Sequence, residues 1–296
     1  MNKNEVLINL AGISFRYPGG PRVLSNLDFH FHRGDHVGLI APNGSGKTTL
    51  LHLVMGLLKP STGRIEIFGK PARDEKDFAD VRRRIGLLFQ DADDQLFSPT
   101  VLEDVAFGPL NLGKSKNEAI QIAQKTLAFL GLNEFENRIT FKLSGGEKRL
   151  VSLATVLAME PEILLLDEPV NGLDMKTKDK LKEILSSINL SYLLISHDFD
   201  FLAEIVDAIY TMEDGKILLD KELQLHEHVH AHEHGVYPHR HDMSEGRKNM
   251  IEGNRQKADD RRQGAMDRRK NIKDRRQNPA DRRQESKDPN QKPETS

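Results

Sequence analysis

Residues 6–31 alternate apolar and polar positions in two runs. The cluster Pro18, Gly19, Gly20, Pro21 separates them, so two antiparallel strands around a turn are predicted. Val37, Gly38, Leu39 and Ile40 form a short apolar strand that passes through a Pro/Asn/Gly/Ser loop into a helical stretch over 47–58. Residues 61–69 and 85–89 read as further strands. Thr100 with Glu103, and Ser115 with Glu118, have the capping-box spacing that opens a helix, and Gly131 ends the second one. A helix should follow Gly145 and Gly146. Apolar runs at 163–166 and 192–195 predict strands buried on both faces, with a helix over 174–188 between them. Beyond Asp207, apolar residues on either side of Asp214-Gly215 predict a closing hairpin. Strands and helices alternate, so the expected class is α/β with a parallel-sheet core, finishing near Gln224.

Composition changes this picture at the C-terminal end. The 296 residues bound the chain to one large or two modest domains. Only 37% are hydrophobic and 30% are charged, so part of the chain is expected not to fold. Residues 244–296 hold 16 Lys+Arg against 10 Asp+Glu, whereas 1–243 hold 27 against 35; the net charge of −2 hides two opposite segments. Asp260, Asp267, Asp274 and Asp281 each begin a tetrad Asp-Arg-Arg-Gln/Lys at a seven-residue period. The intervening triplets are not apolar and Pro279 interrupts them, so a disordered tail is expected rather than a coiled coil. Anionic lipid or nucleic acid could meet such a tail, but the interspersed acids favour a solvated linker, and no nucleic acid is expected.

Between fold and tail, His226, His228, His230, His232, His234, His239 and His241 crowd into sixteen residues. Imidazoles at every second position share one face of an extended chain and can ligate Ni²⁺, Co²⁺, Zn²⁺ or Cu²⁺; a low-complexity spacer has the same composition. The absence of cysteine excludes disulfides, thiolate zinc sites and thiol nucleophiles, and a reducing cytoplasm fits. No run approaches the ~18 apolar residues of a membrane span, and the N-terminus lacks a basic region followed by an apolar one. Any membrane role is therefore expected to run through a separate partner.

Three motifs carry chemistry. Ala41-Pro42-Asn43-Gly44-Ser45-Gly46-Lys47-Thr48, followed by Thr49, fits a phosphate-binding loop at every defined position except the first, where Ala41 replaces Gly. Its N–H groups can cradle phosphate, Lys47 supplies charge, and the Thr48 hydroxyl can ligate Mg²⁺. The added methyl of Ala41 is tolerable if its φ is negative. The strand at 163–166 ends in Asp167 and Glu168, the first placed to reach Mg²⁺ through water and the second to polarise an attacking water. Leu143-Ser144-Gly145-Gly146-Glu147 precedes that strand by about twenty residues.

With this last motif the chain resembles the ATP-binding cassette (ABC) family of nucleotide-binding subunits. Tyr17 matches the aromatic that stacks on adenine, Gln90 the Q-loop, Asn171-Gly172-Leu173-Asp174 the D-loop, and His197 the switch histidine. The resemblance covers residues 5–224. It implies a phosphate-loop NTPase (RecA-like) core with an N-terminal antiparallel β-subdomain and an inserted helical subdomain at about 91–160. The His-rich segment (225–243) and the charged tail (244–296) follow it. It further implies ATP and Mg²⁺ as cofactors, with Thr48, Gln90 and Asp167 at the metal and Glu168, His197 and Gln90 in catalysis. Two copies would pair head to tail as a homodimer, each ATP lying between one phosphate loop and Ser144, Gly145 and Gly146 of the other copy. Val170 stands where Thr is common and Asn171 varies the D-loop, so communication across the dimer is expected to differ in detail.

One phosphate loop and one signature per chain favour a transporter energy subunit over a tandem cassette protein. The stretch 91–113 is similar to the energy-coupling-factor branch, in particular its cobalt/nickel importers. That similarity implies docking to a transmembrane coupling subunit through Leu96, Phe97, Val101 and Phe107, beside a substrate-binding membrane subunit, at the cytoplasmic face of the membrane. The alternatives are the same ATPase serving a vitamin or another metal, and a soluble cassette protein with a regulatory or metal-buffering role.

Overall fold

The computed structural model describes residues 5–219. The His-rich segment, the repeat tail and the expected end near Gln224 lie outside them. The first strands are β1 (Val6–Arg16) and β2 (Arg22–His32), paired antiparallel. In β2 the buried positions change parity, from Leu24 to Leu27, Phe29 and Phe31. The left-handed φ of Asn26 (50°) takes up the extra residue as an irregularity in the pairing, and its N–H donates to Ser14 Oγ.

β3 (His36–Ile40) leads to α1 (Lys47–Val54), which is four residues shorter than predicted. The reason is Gly56, at φ 70°, where a Cβ would lie 2.1 Å from the Phe78 ring; the N–H groups of Leu57 and Leu58 both return to His52 O. β4 (Thr62–Ile67) and β5 (Lys70–Pro71) complete a four-stranded antiparallel sheet of order β2-β1-β4-β5. An unforeseen helix, α2 (Glu75–Arg84), follows, opened by a capping box between Asp74 and Asp77. β6 is Ile85–Leu88.

The inserted helical subdomain comprises α3 (Val101–Asn111), α4 (Lys116–Phe129) and α5 (Gly145–Leu157). Thr100/Glu103 and Ser115/Glu118 cap the first two as their spacing predicted, and Ser144/Glu147 caps the third. Then come β7 (Ile163–Asp167), α6 (Met175–Ser187), β8 (Ser191–Ile195), an unforeseen short α7 (Phe199–Ile205), and the hairpin β9 (Ala208–Glu213) and β10 (Lys216–Leu219).

The second sheet has the order β10-β9-β3-β8-β7-β6, parallel except for β10. Alternation along β7 divides the core. Ile163 and Leu165 join the cluster shared with α1 and the antiparallel sheet, whereas Leu164 and Leu166 join the one beneath the helical subdomain. Each such side chain, at 0% exposure, stabilises the fold by about 1.5–3 kcal/mol. Val101 belongs to the second cluster and is fully buried, so it is core and not a surface contact. No helix among the described residues is long and apolar enough to cross a membrane.

Candidate active site

Parallel order brings the C-terminal ends of β3, β8, β7 and β6 to one edge, and the residues that leave those ends converge there. From β3 the chain turns through Gly44 (φ 80°) and Gly46 (φ 103°) into α1. Gly46 is required: a Cβ would lie 2.8 Å from Val23 Cγ1 and 2.9 Å from Leu24 Cδ2. No side chain caps α1, which leaves its first N–H groups for an anion. Ala41 is buried with negative φ, so its methyl is accommodated.

Lys47 Nζ donates to Ala41 O (2.8 Å) and Pro42 O (3.1 Å), bracing the loop from within. Burial pulls its ammonium below the usual lysine range, against the opposing charges of Glu168 and Asp167. Thr48 donates its hydroxyl hydrogen to Asp167 Oδ2 at 2.8 Å. Asp167 is pushed up by burial, and its buried Oδ1 has no partner among the described residues. A hard, oxygen-seeking dication fits this donor set of Thr48 hydroxyl, Asp167 carboxylate and the nearby Gln90, as Mg²⁺ requires.

Glu168 stands just past β7 with φ 48°, a left-handed conformation that costs about 1–2 kcal/mol for an L-residue. Its N–H donates to Ile195 O (2.9 Å), and Oε2 accepts from His197 N–H (3.4 Å). Burial raises its carboxyl above the ordinary glutamate value, the charges of His197 and Lys47 opposing that shift. His197 Nε2 lies 3.3 Å from Lys47 Nζ and 3.2 Å from Asn43 Oδ1.

Tyr17 stands edge-on to Phe15, with ring centroids 4.9 Å apart, and its hydroxyl meets Thr49 Oγ1 at 3.1 Å; the residue is 43% exposed. A pocket of about 520 Å³ is lined by Tyr17, Asn43, Gly44, Gly46, Lys47, Thr48, Thr49, Gln90, Glu168, Asn171 and His197. Pro42 and Ser45 line a neighbouring cavity that shares Asn43 and Gly44 with it. Asp167 faces an adjoining pocket that shares Thr48, Gln90 and Asn171.

Ser144, Gly145 and Gly146 line neither pocket. They form the start of α5, where a Cβ on Gly145 would meet nothing within 4 Å whereas one on Gly146 would lie 3.2 Å from Thr177 Oγ1, so the end is open at Gly145. Asn171, whose variation of the D-loop is expected to alter communication across the dimer in detail, lines its own chain's pocket. Sequence reasoning missed Arg149 and Gln95, which tie the Gln90 segment to α5; Arg149 sits in a Glu-Lys-Arg run that reads as solvated charge.

Residues 24–171 match the family model described as ABC transporter. A putative ABC transporter ATP-binding protein of Nitratidesulfovibrio vulgaris is 49% identical over 235 residues, covering 77% of this chain and 86% of its own. The energy-coupling factor transporter ATP-binding protein EcfA of Methanocaldococcus jannaschii is 43% identical, covering 72% and 77% respectively. The cobalt import ATP-binding protein CbiO of Rhodobacter capsulatus is 40% identical, covering 72% and 78%. Among solved structures, cbiO1 of Clostridium perfringens, part of the ABC transporter complex cbiONQ, superposes with a TM-score of 0.67 at 32% identity, covering 73% of this chain and 88% of its own. A dimeric ATP-binding cassette in a post-hydrolysis state, bound to ADP and Pi, gives 0.66 at 28% identity, covering 71% and 96%.

Proposed function

This chain belongs to the ABC transporter family and is an ATP-hydrolysing subunit that uses ATP with Mg²⁺, and from that premise we propose that it energises import of cobalt or nickel ions. Family members work as dimers with transmembrane subunits. For this chain we assign a homodimer that binds a coupling subunit and a substrate-binding membrane subunit at the cytoplasmic face. The observation that carries the reading is the likeness to a cobalt import protein over 218 residues, joined to seven histidines within residues 226–241.

In this reading Tyr17 stacks on the base, the 41–49 loop holds the phosphates, and Lys47 faces their charge. Thr48, Asp167 and Gln90 hold Mg²⁺, which when bound neutralises phosphate charge. Glu168 accepts a proton from the attacking water, and His197, between Lys47 and Glu168, contacts the terminal phosphate. Ser144, Gly145 and Gly146 meet the phosphate held by the other copy, the start of α5 supplying N–H donors at Gly145, where nothing lies within 4 Å of a built Cβ. The His-rich segment collects divalent metal.

Uptake of radiolabelled Co²⁺ and Ni²⁺ by cells expressing this chain together with its transmembrane partner subunits tests the reading. Uptake of either ion that is lost with Glu168→Gln supports it. Uptake of neither ion, with ATPase activity intact, assigns another substrate.

A further inference from the structure

Arg149 is 5% exposed, yet its guanidinium makes no ion pair among the described residues. It donates instead to three backbone carbonyls. Nη1 reaches Phe89 O at 2.5 Å, and Nη2 reaches Gln90 O at 2.5 Å and Glu168 O at 3.1 Å. A buried cation satisfied by carbonyls alone is costly unless negative charge lies near, and here Asp91, Asp167 and Glu168 supply it. The planar fork fixes directions as well as distances, which a lysine cannot do.

The three carbonyls belong to the two segments that carry Gln90 and Glu168, while the guanidinium belongs to α5, whose first turn is Ser144 to Gly146. Gln95 strengthens the same junction: its Nε2 donates to Ser152 O (2.9 Å) and Thr155 Oγ1 (2.8 Å) on α5, and its Oε1 accepts from Phe89 N–H (3.3 Å). Glu168 needs such a brace, because its φ of 48° is not a conformation that glutamate adopts unaided.

We propose that Arg149 is a positioning residue for ATP hydrolysis: through Phe89, Gln90 and Glu168 carbonyls it holds the water-orienting groups in register with the signature end of α5. A second copy that seats its phosphate on Ser144 to Gly146 thereby fixes the geometry of the site on the far side of the same helix. This rests on the roles given above to Glu168 and Gln90.

The test is steady-state ATPase kinetics of the full chain carrying Arg149→Gln, Arg149→Lys or Glu168→Gln, with Tm measured for each. Arg149→Gln should lower kcat about tenfold or more, because a displacement near 1 Å costs up to about a hundredfold, while KM for ATP changes less than about threefold. Arg149→Lys should recover part of kcat, since an ammonium keeps the charge and some of the donors but not the fork. Folded Arg149→Lys and Arg149→Gln proteins with wild-type kcat, in a background where Glu168→Gln is inactive, overturn the proposal alone. Should Arg149→Gln fail to fold, Arg149→Lys decides by itself: a reduced kcat at unchanged KM supports the role, and wild-type kinetics overturns it. Wild-type turnover by Glu168→Gln overturns instead the underlying assignment of the site.

Discussion

His197 Nε2 comes within 3.0 Å of Glu168 Oε1, yet no hydrogen bond joins them and that buried oxygen has no hydrogen-bond partner among the described residues. In the function proposed above, this carboxylate is the group that accepts a proton from the attacking water. Glu168→Gln should reduce turnover about 100-fold or more, the usual range for a lost general base, while ATP binding persists. Size-exclusion chromatography with ATP should show the variant as a stable dimer. Wild-type turnover would remove Glu168 from the chemistry.

Lys47 braces the Ala41 and Pro42 carbonyls, and in the proposed function it also faces the phosphates. Lys47→Ala should weaken ATP binding roughly 10- to 100-fold, the equivalent of one or two charge-assisted hydrogen bonds. Fluorescent-nucleotide titration reads it, and an unchanged Kd would contradict it.

Phe97 and Phe107 pack edge to face at 4.7 Å, yet are 66% and 45% exposed beside an apolar groove that Met55, Leu57 and Met159 also line. Replacing both phenylalanines with serine should abolish co-purification with the coupling subunit while leaving Tm close to that of the unaltered chain. Undiminished capture would place the interface elsewhere. Leu96 packs partly into the helical core and is the poorer probe.

Asp104 is 3% exposed; its Oδ1 accepts N–H groups of Phe97 (3.2 Å) and Ser98 (2.9 Å), and its Oδ2 has no partner among the described residues. Burial raises its carboxyl above the ordinary aspartate value, despite those bonds. A raised folded-state value means that stability is fully present below the unfolded value and is lost as pH rises through the folded one. Asp104→Asn should therefore be more stable than the wild type at pH 8, with the difference shrinking as pH falls toward 4. Thermal melts across that range check it, and a difference that grows on acidification would reverse the sign.

Truncation after Gln224 should preserve Tm and ATPase rate but lower the number of Ni²⁺ or Co²⁺ ions bound per chain in calorimetry. In the full chain, binding should weaken below about pH 6.5, where imidazole protonates. Equal metal binding by both lengths would make the segment a spacer.

The longer strands, two of the capping boxes and the phosphate loop were legible because each is a local pattern: alternation, an i,i+3 pair, a glycine spacing. α2 escaped because its box uses Asp74 with Asp77 in place of Ser or Thr with Glu, and because only Phe78 and Val81 of its ten residues are buried. α7 spans seven residues, too few to show a helical period. Arg149 and the left-handed φ of Glu168 left no local trace at all, since each is set by segments that meet only in three dimensions.

Each of the residue stations at the sheet edge hangs from the end of a different strand, so the chain's tolerance of insertions and deletions is unequal along its length. Removing one residue from β7 would draw Asp167 and Glu168 back by about 3.3 Å and turn the alternating faces of Leu164 and Leu165 inside out. Thr48 would then lose Asp167, and Arg149 would lose the Glu168 carbonyl, in a single step. Changes of length in the exposed turn between α3 and α4, around Gly113, would shift none of these atoms relative to one another.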